Sequence, residues 1–189
     1  MGLGINTHFF ASMLVNDAEG AEWIQHNLGL VNELLADHGL PPHVEPTQVT
    51  TKMRQHCGSF PYSYLHYLRR AFAHVHEKLE LTPVADDDDP TEDPVIEDAA
   101  TLFDTHLLCH SDAEGYYVPV EFDEVIFDND ERGLPGGMLG STQRLMAELV
   151  QTAPALGITL DHGTLSDAEV DAINRDGDIG PTCASGSSG

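Results

Sequence analysis

The sequence predicts an α+β fold with about four helices packed on a small, mainly antiparallel sheet. Helical spacing of apolar residues near both ends of the chain and β-type apolar runs between them support this class. The central feature is residues 105–120, where the runs His106–His110 and Tyr116–Val120 flank a polar loop that ends in Gly115. A loop of this kind between such runs predicts a hairpin.

The N-terminal third of the chain predicts one long helix. The apolar residues between Leu3 and Val15 fit a first strand or a buried helix, since their periodicity does not separate the two. A helix is predicted over residues 17–38, with Asn16 or Asp17 as its cap and Gly39 at its end. Its apolar positions recur at helical spacing: Trp23, Ile24, Leu28, Val31, Leu34 and Leu35.

A second helix is predicted to follow Ser59, which suits an N-cap, with Pro61 in the first turn. Its apolar stripe recurs every three or four residues, as the burial of one helix face requires. The stripe consists of Tyr62, Leu65, Leu68, Phe72, Val75 and Leu79. We expect Leu68 and Phe72 to be buried.

The charge of the chain inverts after this helix. The segment from Leu79 to Glu131 contains no Lys or Arg but 18 of the 32 acidic residues. Four consecutive aspartates repel one another and two prolines interrupt regular structure, so about residues 84–98 are predicted to be an acidic loop or linker.

Two shorter helices are predicted in the C-terminal third. The third helix follows Ser141 as its cap and runs from Thr142 to about Thr152. Ser166 and Glu169 form a capping box for a fourth helix, which runs to about Arg175.

Length and composition suit one globular domain, because 41% of the 189 residues are hydrophobic. We predict this domain over residues 1–182, followed by a flexible tail, 183–189, that is partly of artificial origin. No apolar run approaches the roughly 20 residues that cross a bilayer, and Met1–Val15 has no Lys or Arg to begin a secretory signal. The three cysteines form no C-x-x-C pair, so we expect reduced thiols, a cytoplasmic location and no membrane partner.

The net charge is the strongest overall signal. Thirty-two acidic and eight basic residues give a formal charge of −24. Phosphates are repelled by such a surface, so nucleic acid is not expected as a partner, whereas a basic protein would be attracted. Solubility or adaptation to high salt would favour the same composition.

His106, Cys109, His110 and Asp112 form a candidate metal site, with zinc as the candidate ion. The even spacing of the two histidines would place both on one side of a strand. In the competing interpretation they are ordinary polar residues of a half-buried strand whose core side holds Leu107 and Cys109. No H-E-x-x-H pattern supports a metal enzyme.

No motif fixes a catalytic activity. Adjacent strand residues such as Cys109 and His110 point to opposite faces and cannot pair for nucleophilic catalysis. The sequence has no G-x-S-x-G elbow, and no lysine follows the glycine-rich stretch 134–140 as a P-loop requires. A binding role is therefore favoured over an enzymatic one.

We predict a small acidic binding protein that docks a basic protein partner, and its size and charge suit a toxin-neutralising immunity protein. The candidate partner contacts are acidic residues in or beside turns: Glu114, Asp123, Glu124, Asp128 and Asp130. The alternative is a metal-dependent enzyme or metal-binding domain that uses the region from His106 to Glu114. The sequence sets no oligomeric state.

Overall fold

A computed structural model describes residues 2–7, 9–45, 55–85, 88–99, 103–110, 115–129 and 131–159. The chain divides into two compact units. The first contains residues 1–24, 45–61 and 161–189, and the second contains residues 25–44 and 62–160. The single domain over residues 1–182 stays a prediction, and the fourth helix and the tail lie outside the described residues.

The first unit contains an antiparallel strand pair, β1 (Gly2–Thr7) and β2 (Gln55–Pro61), whose register shifts between Ile5 and Asn6. Helix α1 (Phe9–Asn16) follows β1 directly. The stretch that fits either a strand or a helix therefore contains both, one after the other.

Helix α2 (Ala18–Asp37) begins in the first unit and ends in the second, and it confirms the helix predicted over residues 17–38. Gly39 ends it with a left-handed φ of 69°, and the Leu40 N–H donates back to the Leu35 carbonyl at 2.9 Å. This is the glycine C-cap that the sequence predicts. Of the apolar positions, Trp23 is 48% exposed and lies off the core.

A three-stranded sheet forms the first core of the second unit. Strands β3 (Tyr116–Val118), β4 (Ile126–Phe127) and β5 (Met138–Ser141) lie in the order β3-β5-β4. Strand β5 runs parallel to β3 and antiparallel to β4. The core combines the C-terminal half of α2 with this sheet: Val31, Leu34, Leu35, Val118, Val120, Ile126, Leu134 and Leu139.

The α+β class is confirmed, but the predicted hairpin matches only loosely. The part of the chain that the structure describes holds five helices, and its three-stranded sheet is mixed. Residues 106–109 form a turn rather than a strand, and β3 pairs with β5. Leu107 and Leu108 are both buried in one core, which a strand does not allow because it turns neighbouring side chains to opposite faces.

The second core of this unit is built on helix α3 (Ser63–His76). Phe72 is buried as predicted, whereas Leu68 is half-buried. Phe72 packs with Ala73 of the same helix, with Ala99, and with the turn residues Leu107 and Leu108. The helix begins later than expected because Ser59 belongs to β2.

The acidic segment 84–98 contains two short helical elements. A 3-10 turn covers Pro90–Glu92, and helix α4 covers Pro94–Ala99. Val95 and Ile96 of α4 pack against the second core. The apolar residues among the acids thus dock this segment on α3, while Glu92, Glu97 and Asp98 are exposed.

Helix α5 (Thr142–Thr152) confirms the third predicted helix, including its cap: the Ser141 hydroxyl accepts from the Arg144 N–H at 3.4 Å. Leu145 and Leu149 pack against the second core, and Met146 is exposed. A 3-10 turn, Ala153–Leu156, follows. In the described ranges, no helix has both the length and the apolar character to cross a bilayer.

Candidate partner-binding surface

The central turn, residues 106–109, is held by a carboxylate from α5. Glu148 accepts from the backbone N–H groups of His106 and Leu107, both at 2.7 Å. Arg69 of α3 donates to the Leu108 carbonyl at 2.7 Å. Burial raises the pKa of Glu148, although the two N–H groups oppose this shift. Side chains from two helices therefore provide the hydrogen bonds that a strand would obtain from a neighbour.

The His106 ring is fully buried, and both of its nitrogens are engaged. Nδ1 accepts from the Ser141 N–H at 3.0 Å, so the ring proton is on Nε2, which donates to the Asp123 carbonyl at 3.2 Å. Burial, reinforced by Arg144, lowers the pKa of His106 to about 4. The neutral ring joins β5 to the loop before β4 and keeps no nitrogen for a metal.

The other predicted metal ligands are differently placed. His110 Nδ1 lies 3.2 Å from the Tyr117 hydroxyl, which donates to the His106 carbonyl at 2.8 Å. Burial raises the pKa of the Cys109 thiol, so burial does not activate it as a nucleophile. Asp112 lies outside the described residues, so the metal site stays a prediction. Among the residues described, no group of three or more His, Cys, Asp or Glu side chains could hold a metal ion.

The five predicted partner contacts fall into three groups. Asp123 and Glu124 are exposed in the loop before β4, as a docking contact requires. Asp128 is 1% exposed. Glu114 and Asp130 lie outside the described residues and stay predictions.

Asp128 organises the loop after β4. Its carboxylate accepts from the N–H groups of Leu134 at 2.9 Å and Arg132 at 3.2 Å. Burial alone would raise the pKa of this carboxyl, but these N–H groups, that of Gly133 and the Arg132 charge lower it. Asp128 therefore serves the loop's structure, since its oxygens are used inside the molecule.

Arg132 lies among four carboxylates. Its guanidinium pairs with Asp37, with Glu131 at 3.5 Å, with Asp128 at 3.6 Å and with Glu33 at 3.8 Å. Glu33 and Asp37 are one turn apart on α2 and both are exposed. One cation thus joins the end of α2 to the loop after β4 and leaves an excess of negative charge there.

Arg70 is the most buried of the described arginines, and it is also paired. Asp93 accepts from Arg70 at 2.7 Å and from His74 at 2.9 Å, and Arg70 also donates to the Thr82 carbonyl at 2.8 Å. Burial would raise the pKa of Asp93, but hydrogen bonds from His74, the Val95 N–H and Arg70 lower it. This network fixes the acidic segment to α3.

Arg144 pairs with Asp123, whereas Lys78 is exposed at the end of α3. The arginines at 70, 132 and 144 therefore act as internal ties in the second unit. Among the exposed charged side chains of the described part of this unit, acids greatly outnumber bases: Glu33, Asp37, Glu77, Glu80, Asp88, Asp89, Glu92, Glu97, Asp98, Asp104, Glu121, Asp123, Glu124 and Glu131.

Sequence reasoning missed Glu148 and Arg132, which position the turn and the acidic cluster. Both bind groups that are distant along the chain, and the bond from His106 N–H to Glu148 spans 42 positions. The one local signal was the position of Arg132 as the first base after the uncompensated acidic stretch.

Comparison with known families gives one match. Residues 1–185 match the family described as "Putative DNA-mimic protein". No curated protein and no solved structure matches the chain.

The family supports the coarser functional prediction, an acidic protein that acts by binding other proteins. It corrects the prediction on partners, which named a basic protein and no nucleic acid, because a DNA mimic takes the place of nucleic acid on its partner. Negative charge argues against binding phosphates, but it is also what an imitation of phosphates requires. Because the match covers residues 1–185 of 189, the chain belongs to this family of DNA-mimic proteins.

Proposed function

We propose that this protein occupies the DNA-binding surface of a DNA-binding protein and competes there with DNA. The observation that carries the proposal is the family match over residues 1–185. The charge layout of the second unit supports it, since the arginines at 70, 132 and 144 are paired internally and acids dominate its exposed charged side chains.

Duplex DNA offers a protein one phosphate of each strand for about every 3.4 Å of helix axis. A mimic needs closely spaced carboxylates on a folded backbone that stays intact despite the repulsion between them. Glu33 and Asp37 have such a support in α2, where residues four apart lie about 5–6 Å from each other. Arg132 pairs with both of these residues and with Glu131. Three carboxylates therefore share one guanidinium, and the net charge of the group is negative.

A second group of acids lies in the loop before β4. Glu121, Asp123 and Glu124 are exposed, and the Asp123 carbonyl is fixed by the buried His106 ring. A partner's Lys and Arg side chains could pair with these carboxylates as they pair with phosphates. We therefore keep Asp123 and Glu124 as partner contacts and add Glu121, Glu33, Asp37 and Glu131.

The immunity role inferred from size and charge remains compatible with this proposal, because a toxin that acts on DNA would present the same basic surface. A cytoplasmic location remains a prediction as well.

Competition with DNA tests the proposal. The immobilised protein is loaded at low salt with the heparin-retained DNA-binding proteins of the source organism and eluted with duplex DNA or with polyglutamate at equal charge. We expect duplex DNA to release bound protein at concentrations at which polyglutamate does not, because mimicry requires a shared surface. Equal release by polyglutamate, or no capture, would contradict the proposal.

Matched variants locate the surface. The double variant Glu121→Gln/Glu124→Gln should weaken binding of the captured protein roughly 3- to 10-fold, through the loss of two exposed ion pairs. The control Glu19→Gln/Glu22→Gln removes the same charge from exposed positions of the first unit and should change binding less. Equal losses in both variants would show that total charge, rather than this loop, determines binding.

A further inference from the structure

Two exposed aromatic rings interrupt the acidic surface of the second unit. Phe103 is 53% exposed and Phe127 is 37% exposed. Their ring centroids lie 5.3 Å apart at an interplanar angle of 72°, an edge-to-face pair. Such a pair keeps apolar area in water, which is unfavourable unless another molecule covers it.

The pair borders a surface depression. The lining consists of His38, Phe103, Val125, Ile126, Phe127 and Asn129. Val125 and Ile126 are buried, and the Val125 N–H donates to the Phe103 carbonyl at 2.8 Å. The depression therefore has an apolar base, and a backbone hydrogen bond ties one aromatic wall to it.

One aromatic wall of the depression has an unusual backbone conformation. Phe103 has a φ of 55° and Asn129 a φ of 50°, and Lys78 is the one other non-glycine residue with positive φ among those described. A bulky residue rarely adopts this left-handed conformation, and such strain is common at binding sites. Phe103, a bulky residue in this conformation, thus lines the depression, and Asn129, a residue type that adopts it readily, lines it too.

Acidic residues adjoin three of these lining residues along the chain. Asp104 and Glu124 are chain neighbours of the lining residues Phe103 and Val125, and both are exposed. Asp37 precedes His38 and is held there by Arg132. Aromatic anchors inside a charged rim are typical of protein interfaces, in which the anchors supply most of the binding energy.

We infer that the depression between Phe103 and Phe127 binds an apolar side chain that projects, between Lys and Arg residues, from the DNA-contacting face of the partner. Proteins that kink DNA insert such side chains between base steps, where an apolar gap is bordered by phosphates. The depression and the neighbouring acids Asp37, Asp104 and Glu124 reproduce that combination of apolar and negatively charged groups. The inference rests on the proposed function and narrows the partner to DNA-binding proteins that carry an apolar wedge.

Two matched peptides test this inference: Arg-Lys-Leu-Lys-Arg and Arg-Lys-Gln-Lys-Arg, titrated into the full chain and followed by NMR. We expect the leucine peptide to bind roughly 3- to 10-fold more tightly, because part of the leucine side chain leaves water. Adding the leucine peptide should change the chemical shifts of Phe103 and Phe127. In Phe127→Ser the preference should disappear, while binding of the glutamine peptide is retained. Met146→Ser, which removes an exposed apolar side chain from α5, should keep the preference.

If both peptides bind with equal affinity and added salt releases both, the wedge inference is overturned and the proposed function stays intact. A leucine preference that survives Phe127→Ser would also overturn it, since the leucine would then bind elsewhere. If neither peptide binds at low salt, both the inference and the docking of basic surfaces fail.

Discussion

Replacing Phe72 with alanine is expected to lower the free energy of unfolding by about 3–5 kcal/mol. The ring is 2% exposed and contacts residues from α4 and from the central turn as well as its own helix. The turn residues Leu107 and Leu108 are fixed by Glu148 and Arg69, so on that side the cavity cannot readily collapse. Chemical denaturation followed by circular dichroism measures the change.

Phe103→Ala is the matched control. It removes the same ring from a position that is 53% exposed, so stability should change by no more than about 0.5 kcal/mol. A Phe72→Ala protein with an unchanged denaturation midpoint would show that the α3 stripe is not a core.

Acidification is expected to destabilise the second unit through His106. Its pKa falls from 6.5 to about 4 on folding, mainly because the ring is buried. Above pH 6.5 the ring is neutral in both states, whereas between pH 6.5 and 4 the unfolded chain binds a proton that the folded chain excludes. Stability is therefore lost as pH falls through this window, by about 3 kcal/mol when complete.

The variant His106→Asn separates this effect from other titrations. Its side-chain oxygen can accept from the Ser141 N–H, but the side chain does not ionise. We expect it to be less stable at pH 7 and to lose less stability than the wild type between pH 7 and 4.5. Denaturant midpoints measured across this range give the comparison. Parallel pH profiles for the two proteins would refute the assignment to His106.

The helices that sequence predicts well are those with local signals. Helices α2 and α5 have both an apolar period and a recognisable terminus, Gly39 in one and Ser141 in the other. The central turn could not be predicted this way. His106–His110 has strand-like composition, but Glu148 and Arg69, both distant along the chain, satisfy its backbone as a turn.

The sign of the charge on the proposed binding surface was predictable from the sequence, but the residues that form it were not. Composition indicates a protein that binds through negative charge, and the exposure of Asp123 and Glu124 agrees with this. Proximity to turn residues suggested that Asp128 is exposed too, yet the following loop folds over it and uses its oxygens. Whether a turn aspartate faces water or the loop's own N–H groups depends on the path of the loop.

The conformation of Phe103 has an evolutionary consequence. A glycine there would adopt the φ of 55° without strain and would sacrifice little buried area, since the ring is largely in water. Selection for stability alone would thus favour glycine, and Phe103→Gly should fold at least as well as the wild type in a thermal melt. Under the inferred binding role, an aromatic ring at this position is a stability–activity trade-off, in which the fold carries a less favourable residue because it contacts the partner.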